Sequence, residues 1–330
     1  MCLIEGNERI TSVNKGSRYV VGIDIGGTNT KFGIVDSEGV IIIQSSMSTT
    51  GYPVFSDYVE QVCVELERMI GEHGLEGHIQ AVGIGAPNAN YHKGTIESAP
   101  NLIWKGVVPL AETFSARLGL PVRVTNDANA AALGEKIFGA ARGMEDFIVI
   151  TLGTGVGGGV VANGKLVCGH DGLAGELGHI IIDSCPDARL CGCGRKGCLE
   201  AYCSATGVEK TVRTMLARAK QPSLLQGKEG PVSAKDVFLA AEKGDRVAKE
   251  VFEYTGTILG KALANFVAFS SPEAIIIFGG LSKAGKHLLG PVKKALDINV
   301  LPIFKGKTKL LVSQLKDSDA AILGASAIAW

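Results

Sequence analysis

The chain carries no net charge: Lys plus Arg and Asp plus Glu each total 33 over 330 residues. Nucleic-acid binders normally show a basic excess, so nucleic acid is not an expected partner. No apolar run approaches the roughly 18 residues of a membrane span, so a membrane is not expected either. The opening residues are polar, with no apolar signal-peptide core, and residues 1–18 are expected to form an N-terminal tail. Proline is sparse, at 11, which argues against a low-complexity linker. A chain this long buries a core without disulfides, so its 8 cysteines read as thiols or metal ligands in a cytoplasmic protein. Glycine, by contrast, is abundant: 44 residues, against a background of about 7%. It shows no G-x-y period, which excludes collagen, and in a folded chain it marks tight backbone approaches of the kind phosphate sites need.

Tyr19 to Ile25 is an apolar run, followed at once by Phe32 to Val35 and by Val40 to Ile43. Strands this close form a hairpin and meander, because a parallel return needs a crossover of about a dozen residues. That separates the chain from dinucleotide-binding folds, where the glycine-rich turn opens a helix. Phe55 to Ile70 has the apolar spacing of an amphipathic helix, and Leu110 to Leu118 reads as another. Gln80 to Gly85 and Val122 to Thr125 read as buried strands. A second strand–turn–strand pattern follows over Phe147 to Ala162, with a turn at Asn163-Gly164 before Lys165 to Val167. A long helix is expected over Val247 to Phe269, strands at Glu273 to Phe278 and Lys309 to Val312, and a closing buried helix over Asp319 to Ala329.

Five constellations carry chemistry. In Asp24-Ile-Gly26-Gly27-Thr28-Asn29-Thr30-Lys31, paired glycines let backbone approach an oxyanion, and Asp24 can hold magnesium directly or through water. A plain hairpin turn explains the same residues, and the turn has no Gly-Lys-Ser/Thr of a Walker loop. Gly153-Thr154-Gly155 repeats the device in the second half, and Gly279-Gly280, after a strand, offers flat backbone to a nucleoside. Between the two phosphate turns lies Asn126-Asp127-Ala-Asn-Ala, where Asp127 suits a general base but equally an N-cap of the following helix. Finally, Cys191, Cys193 and Cys198, with His179, have the spacing of a closed Cys₃His zinc set of structural type. A free-thiol cluster or a disulfide is the alternative, and Cys185 is the rival ligand. Cys2, Cys63, Cys168 and Cys203 read as unligated or core thiols, and His73, His78 and His287 as solvated.

The three glycine turns resemble the phosphate-1, phosphate-2 and adenosine motifs of the actin-like ATPase and sugar kinase fold. Together with Gly175-Glu176-Leu177-Gly178-His179 and the Cys191 to Glu200 segment, the chain from about Tyr19 onward resembles the ROK family (repressors, open reading frames and sugar kinases). The resemblance implies an α/β protein with actin-like ATPase (ribonuclease H-like) duplicated domains and an interdomain cleft. The smaller domain is expected at 19–131 plus 319–330, and the larger, with the zinc loop, at 132–318. It implies Mg-ATP and structural zinc as cofactors and phosphoryl transfer to the 6-hydroxyl of a hexose, as in the family's glucokinases. By the same resemblance Asp127 is the base, and Asn101, Asn126, Asp127, Glu176, His179 and Glu200 contact the sugar. ATP is expected at Asp24, Gly26, Gly27, Thr28, Asn29, Lys31, Gly153, Thr154, Gly155, Gly279 and Gly280, and zinc at His179, Cys191, Cys193 and Cys198. A homodimer or homotetramer is expected. Another hexose or N-acetylhexosamine, polyphosphate as donor, or a non-catalytic sugar sensor are the rival readings. Asn88 stands in Gly85-Ala-Pro-Asn88 where many members carry glycine, and its turn is expected to survive because Asn tolerates left-handed backbone. With 18 residues before the first strand, the winged-helix domain of the repressor members, and with it DNA binding, is not expected.

Overall fold

The computed structural model describes residues 18–316 and 318–330, so the expected tail falls almost wholly outside the described residues. The chain divides into two compact units. The first runs to Gly143 and takes in Leu166–Ala174 and Gln314–Trp330; the second comprises Met144–Lys165 and Gly175–Ser313.

In the first unit the meander forms as its spacing requires: β1 (Tyr19–Ile25), β2 (Asn29–Asp36) and β3 (Ile41–Ser48) pair antiparallel. Strand β3 outruns its apolar stretch because its later residues alternate between exposed and half-buried positions at a sheet edge. Helix α1 (Phe55–Glu72) buries the predicted stripe of Tyr58, Val59, Val62, Cys63, Leu66 and Met69. Strand β4 (Ile79–Gly85) then returns parallel to β1. Three very short strands, β5 (Ala89–Asn90), β6 (Thr95–Glu97) and β7 (Val107–Val108), make a separate small sheet. Segments of two or three residues are too short to show a period, so the sequence does not announce them. Helix α2 (Leu110–Leu118), strand β8 (Val122–Thr125) and helix α3 (Asp127–Phe138) complete the run. The main sheet has the order β3-β2-β1-β4-β8.

The second unit repeats that order with β9 (Phe147–Leu152), β10 (Val156–Ala162), β11 (Lys165–Leu166), β12 (Ala274–Phe278) and β13 (Lys309–Val312), arranged β11-β10-β9-β12-β13. Again an antiparallel hairpin is followed by parallel strands. Its helices are α4 (Glu200–Cys203), α5 (Ala205–Arg218), α6 (Ala234–Glu242), α7 (Arg246–Ser270) and α8 (Lys286–Asn299). Each unit has its own apolar core.

Part of the glycine excess serves packing. Gly22 and Gly83 are paired in register on β1 and β4. A Cβ there would lie 2.2 Å from Ile322 O and 2.0 Å from Ala325 O of the closing helix Ala320–Ala327, which therefore rests directly on bare backbone. Helix α3 meets the same helix through Gly134, whose Cβ would sit 2.9 Å from Gly324 Cα. Helix α3 thus packs on an element of the first unit, which continues to Gly143.

Candidate functional site

Strands β1, β4 and β8 run parallel and end in register at Asp24, Gly85 and Thr125, with α3 starting two residues later. The carboxyl ends of parallel strands are where such sheets bind ligands. The first glycine turn closes through the Gly26 N–H donating to Asn29 O at 3.0 Å. Gly27 must lack a side chain, since a Cβ would approach Asn101 O to 2.7 Å; the turn and the Asn101 loop therefore lie together. Thr28, Asn29, Lys31 and Asn101 face solvent, while Thr30 turns inward, 2.8 Å from Tyr58 Oη and 2.9 Å from Thr49 Oγ1.

Two carboxyl groups meet at these strand ends. Burial pushes Asp24 up to about 6, with the nearby Asp127 adding to the rise and Lys31 opposing it. Asp127 keeps accessible surface yet is densely surrounded by protein. That loss of water raises its carboxyl above the usual range, against the Ala128 N–H that donates to Oδ1 at 2.9 Å. A carboxyl raised by burial and by a second carboxyl beside it marks a place where a cation is favoured and where a proton is readily taken up. Asp127 is not the helix cap: Asn126 is, its Oδ1 accepting the Asn129 N–H at 2.7 Å, so the competing explanation for Asp127 falls away. Asn126, expected to contact sugar, thus has its side-chain oxygen committed to the helix.

In the second unit Gly153 N–H donates to Gly155 O at 3.0 Å, closing the second turn. The second glycine turn and the cysteine cluster converge on Glu200. Its Oε2 accepts the Val156 N–H at 3.0 Å, lies where a Gly155 Cβ would come within 2.5 Å, and its Oε1 is 3.4 Å from Cys191 Sγ. Gly279, at φ 98°, lies against Leu152, where a Cβ would meet the carbonyl oxygen at 2.6 Å; beside it a Cβ on Gly280 would meet nothing within 4 Å. The second and third glycine turns are therefore neighbours.

His179, Cys191, Cys193 and Cys198 bring their ligand atoms within 4.8 Å of one another, and Cys185 is not among them. Zinc with Zn–S of about 2.3 Å and tetrahedral angles separates its sulfurs by about 3.8 Å. Cys193 and Cys198 Sγ are 3.7 Å apart, and Cys191 Sγ is 3.7 Å from His179 Nδ1, so the donor set fits such an ion. Burial pushes the Cys191 thiol up to about 12, while hydrogen bonding from the Arg195 backbone holds exposed Cys193 down at about 6. His179 Nε2 points the other way, 3.9 Å from Glu176 Oε2.

Other assignments divide. Asn88 does adopt left-handed backbone, at φ 52°. Cys63, Cys168 and Cys203 are buried thiols as expected, and Cys2 lies outside the described residues. His287 is not solvated: it pairs with Glu242 and stacks on Phe252. Supporting groups went unread because they look like core. Tyr58 sits in the stripe of α1, and Arg189 clamps the cysteine loop by donating to Ala201 O, Gly207 O and Thr211 Oγ1.

Two units of repeated strand order, each with a glycine turn between its first two strands, define a duplicated α/β fold. The chain belongs to the ROK family, whose model matches residues 20–330, and has that family's actin-like ATPase fold. It is 36% identical to a glucokinase of Thermotoga maritima, over 94% of this chain and 96% of that one. To a glucokinase of Halalkalibacterium halodurans it is 37% identical, over 93% of each. Among solved structures, a ROK family glucokinase from Streptomyces griseus in complex with glucose and AMPPNP matches with a TM-score of 0.75 and 35% identity, covering 93% of this chain and 98% of that one. Xylose repressors are more distant relatives. Among the described residues no helix is long and apolar enough to cross a membrane.

Proposed function

We propose that the protein is an ATP-dependent glucose kinase that phosphorylates the 6-hydroxyl, with Asp127 as general base. The observation that carries the reading is Asp127 itself: an accessible carboxyl with a raised proton affinity, at the carboxyl ends of parallel strands and beside Asp24. The near-full-length glucokinase relatives support glucose and ATP as substrates.

Asp127 takes the proton of the 6-hydroxyl as that oxygen bonds to the γ-phosphorus; the bond from that phosphorus to the β–γ bridging oxygen breaks, and ADP leaves with the electron pair. Phosphoryl transfer asks mainly for alignment and charge neutralisation. Backbone at Gly26, Gly27, Gly153 and Gly155 receives phosphates, Asp24 receives the magnesium of Mg-ATP, and Gly279-Gly280 receive the nucleoside. Asn101, Asn126, Glu176, His179 and Glu200 supply the sugar's polar partners, each hydroxyl needing one once water is excluded.

Zinc on His179, Cys191, Cys193 and Cys198 would be structural, supplying a fixed loop in place of chemistry. It leaves His179 Nε2 directed at Glu176 and holds Cys191 against Glu200. The seven described cysteines stand as thiols, which suits the reducing cytoplasm. Exposed Phe269, Ile298 and Ile303 on the second unit suit the expected homo-oligomer. A panel of hexoses and N-acetylhexosamines with Mg-ATP, read by ADP release, tests the function. Glucose should give the highest kcat/KM; turnover of N-acetyl sugars with none on glucose would overturn it.

A further inference from the structure

Glu176 and His179 follow an excursion of the chain, Leu166–Ala174, that belongs to the first unit, and the second unit resumes at Gly175. The excursion closes on itself, Ala174 N–H donating to Cys168 O at 2.9 Å. What holds it is Asn90, a fully buried residue on the short strand β5. Asn90 uses its whole hydrogen-bonding capacity: Nδ2 donates to Asp171 O at 2.7 Å and to Glu97 Oε1 at 3.3 Å, while Oδ1 accepts the N–H groups of His92 and Lys93, each at 3.1 Å. His92 adds a second tie, its Nε2 lying 2.9 Å from Gly169 O. Gly172 sits so tightly on this pair that a Cβ would come within 2.4 Å of Asn90 Oδ1. A buried, fully satisfied polar group fixes one geometry, because any other leaves it unpaired at a cost.

We infer that Asn90, with His92, is a positioning residue for sugar binding: it anchors the loop Cys168–Ala174 and so fixes where the chain delivers Glu176. This rests on Glu176 as a sugar contact.

Asn90→Asp keeps the acceptor for His92 and Lys93 but sets a carboxylate against Asp171 O. Because that carboxylate also faces Glu97, Gly172→Ala provides an independent disturbance of the same loop. Each variant should raise KM for glucose about tenfold, roughly one hydrogen bond's worth, with KM for ATP and kcat within about twofold. Loss of kcat at unchanged glucose KM would show a merely structural role and overturn the inference. Glu176→Gln separates the two claims. If it leaves glucose KM unchanged, Glu176 is not a sugar contact and the inferred route fails with it; if it raises KM while both loop variants do not, the positioning role alone fails.

Discussion

Gly155→Ala tests the coupling between the second glycine turn and the Glu200 carboxylate, which we propose contacts the sugar. The added Cβ would lie 2.5 Å from Glu200 Oε2. Ordinary contact begins near 3.4 Å, so the carboxylate must retreat by about an ångström. It has little room to swing, because its other oxygen is 3.4 Å from Cys191 Sγ. Retreat strips the Val156 N–H of its acceptor, now at 3.0 Å. A hydrogen bond to a charged group is worth about 1.5–3 kcal/mol, which converts to roughly a ten- to hundredfold loss. The loss should appear in kcat/KM for glucose, measured by coupled ADP release at saturating ATP, while circular dichroism shows a folded protein. Wild-type kcat/KM for glucose in this variant would refute the coupling.

Two further perturbations follow. Metal analysis of gently purified protein should find one zinc per chain. Stripping it with a chelator should weaken glucose binding by about ten- to hundredfold, through the loosened Glu200; fully active zinc-free protein would contradict the site. Asp24 has a folded value of about 6 against an ordinary 3.8, so the folded state binds its proton more tightly. That contribution to stability is present below pH 3.8 and is lost as pH rises through about 6. Asp24→Asn should therefore flatten the fall in denaturant-measured stability across that window and raise Tm at pH 7, while turnover drops. An unchanged slope would show that Asp24 is not the group responsible.

What could be read in advance was local. The Asp24 to Lys31 hairpin was legible because its turn residues are contiguous, and the Cys191 to Cys198 cluster because its spacing is. Asn126 and Asp127 are both good capping types, and only the observed start of α3 decides between them. The meeting of Glu200 with Val156 joins residues 44 positions apart and leaves no periodic trace. The hold of Asn90 on Asp171 spans 81 positions. Glycine composition signalled close backbone approach, but it could not separate Gly27 and Gly155, in turns between strands, from Gly22 and Gly83, which seat a helix.

The central claim is that Asp127 removes the proton from the 6-hydroxyl as phosphorus is attacked. Its most direct measurement is the turnover of Asp127→Asn with glucose and Mg-ATP. Asn keeps an acceptor for the Ala128 N–H, so the helix start survives. The account predicts kcat lower by about 10²–10⁴, the ordinary contribution of a general base, with glucose binding by calorimetry retained. Near-normal turnover would contradict it.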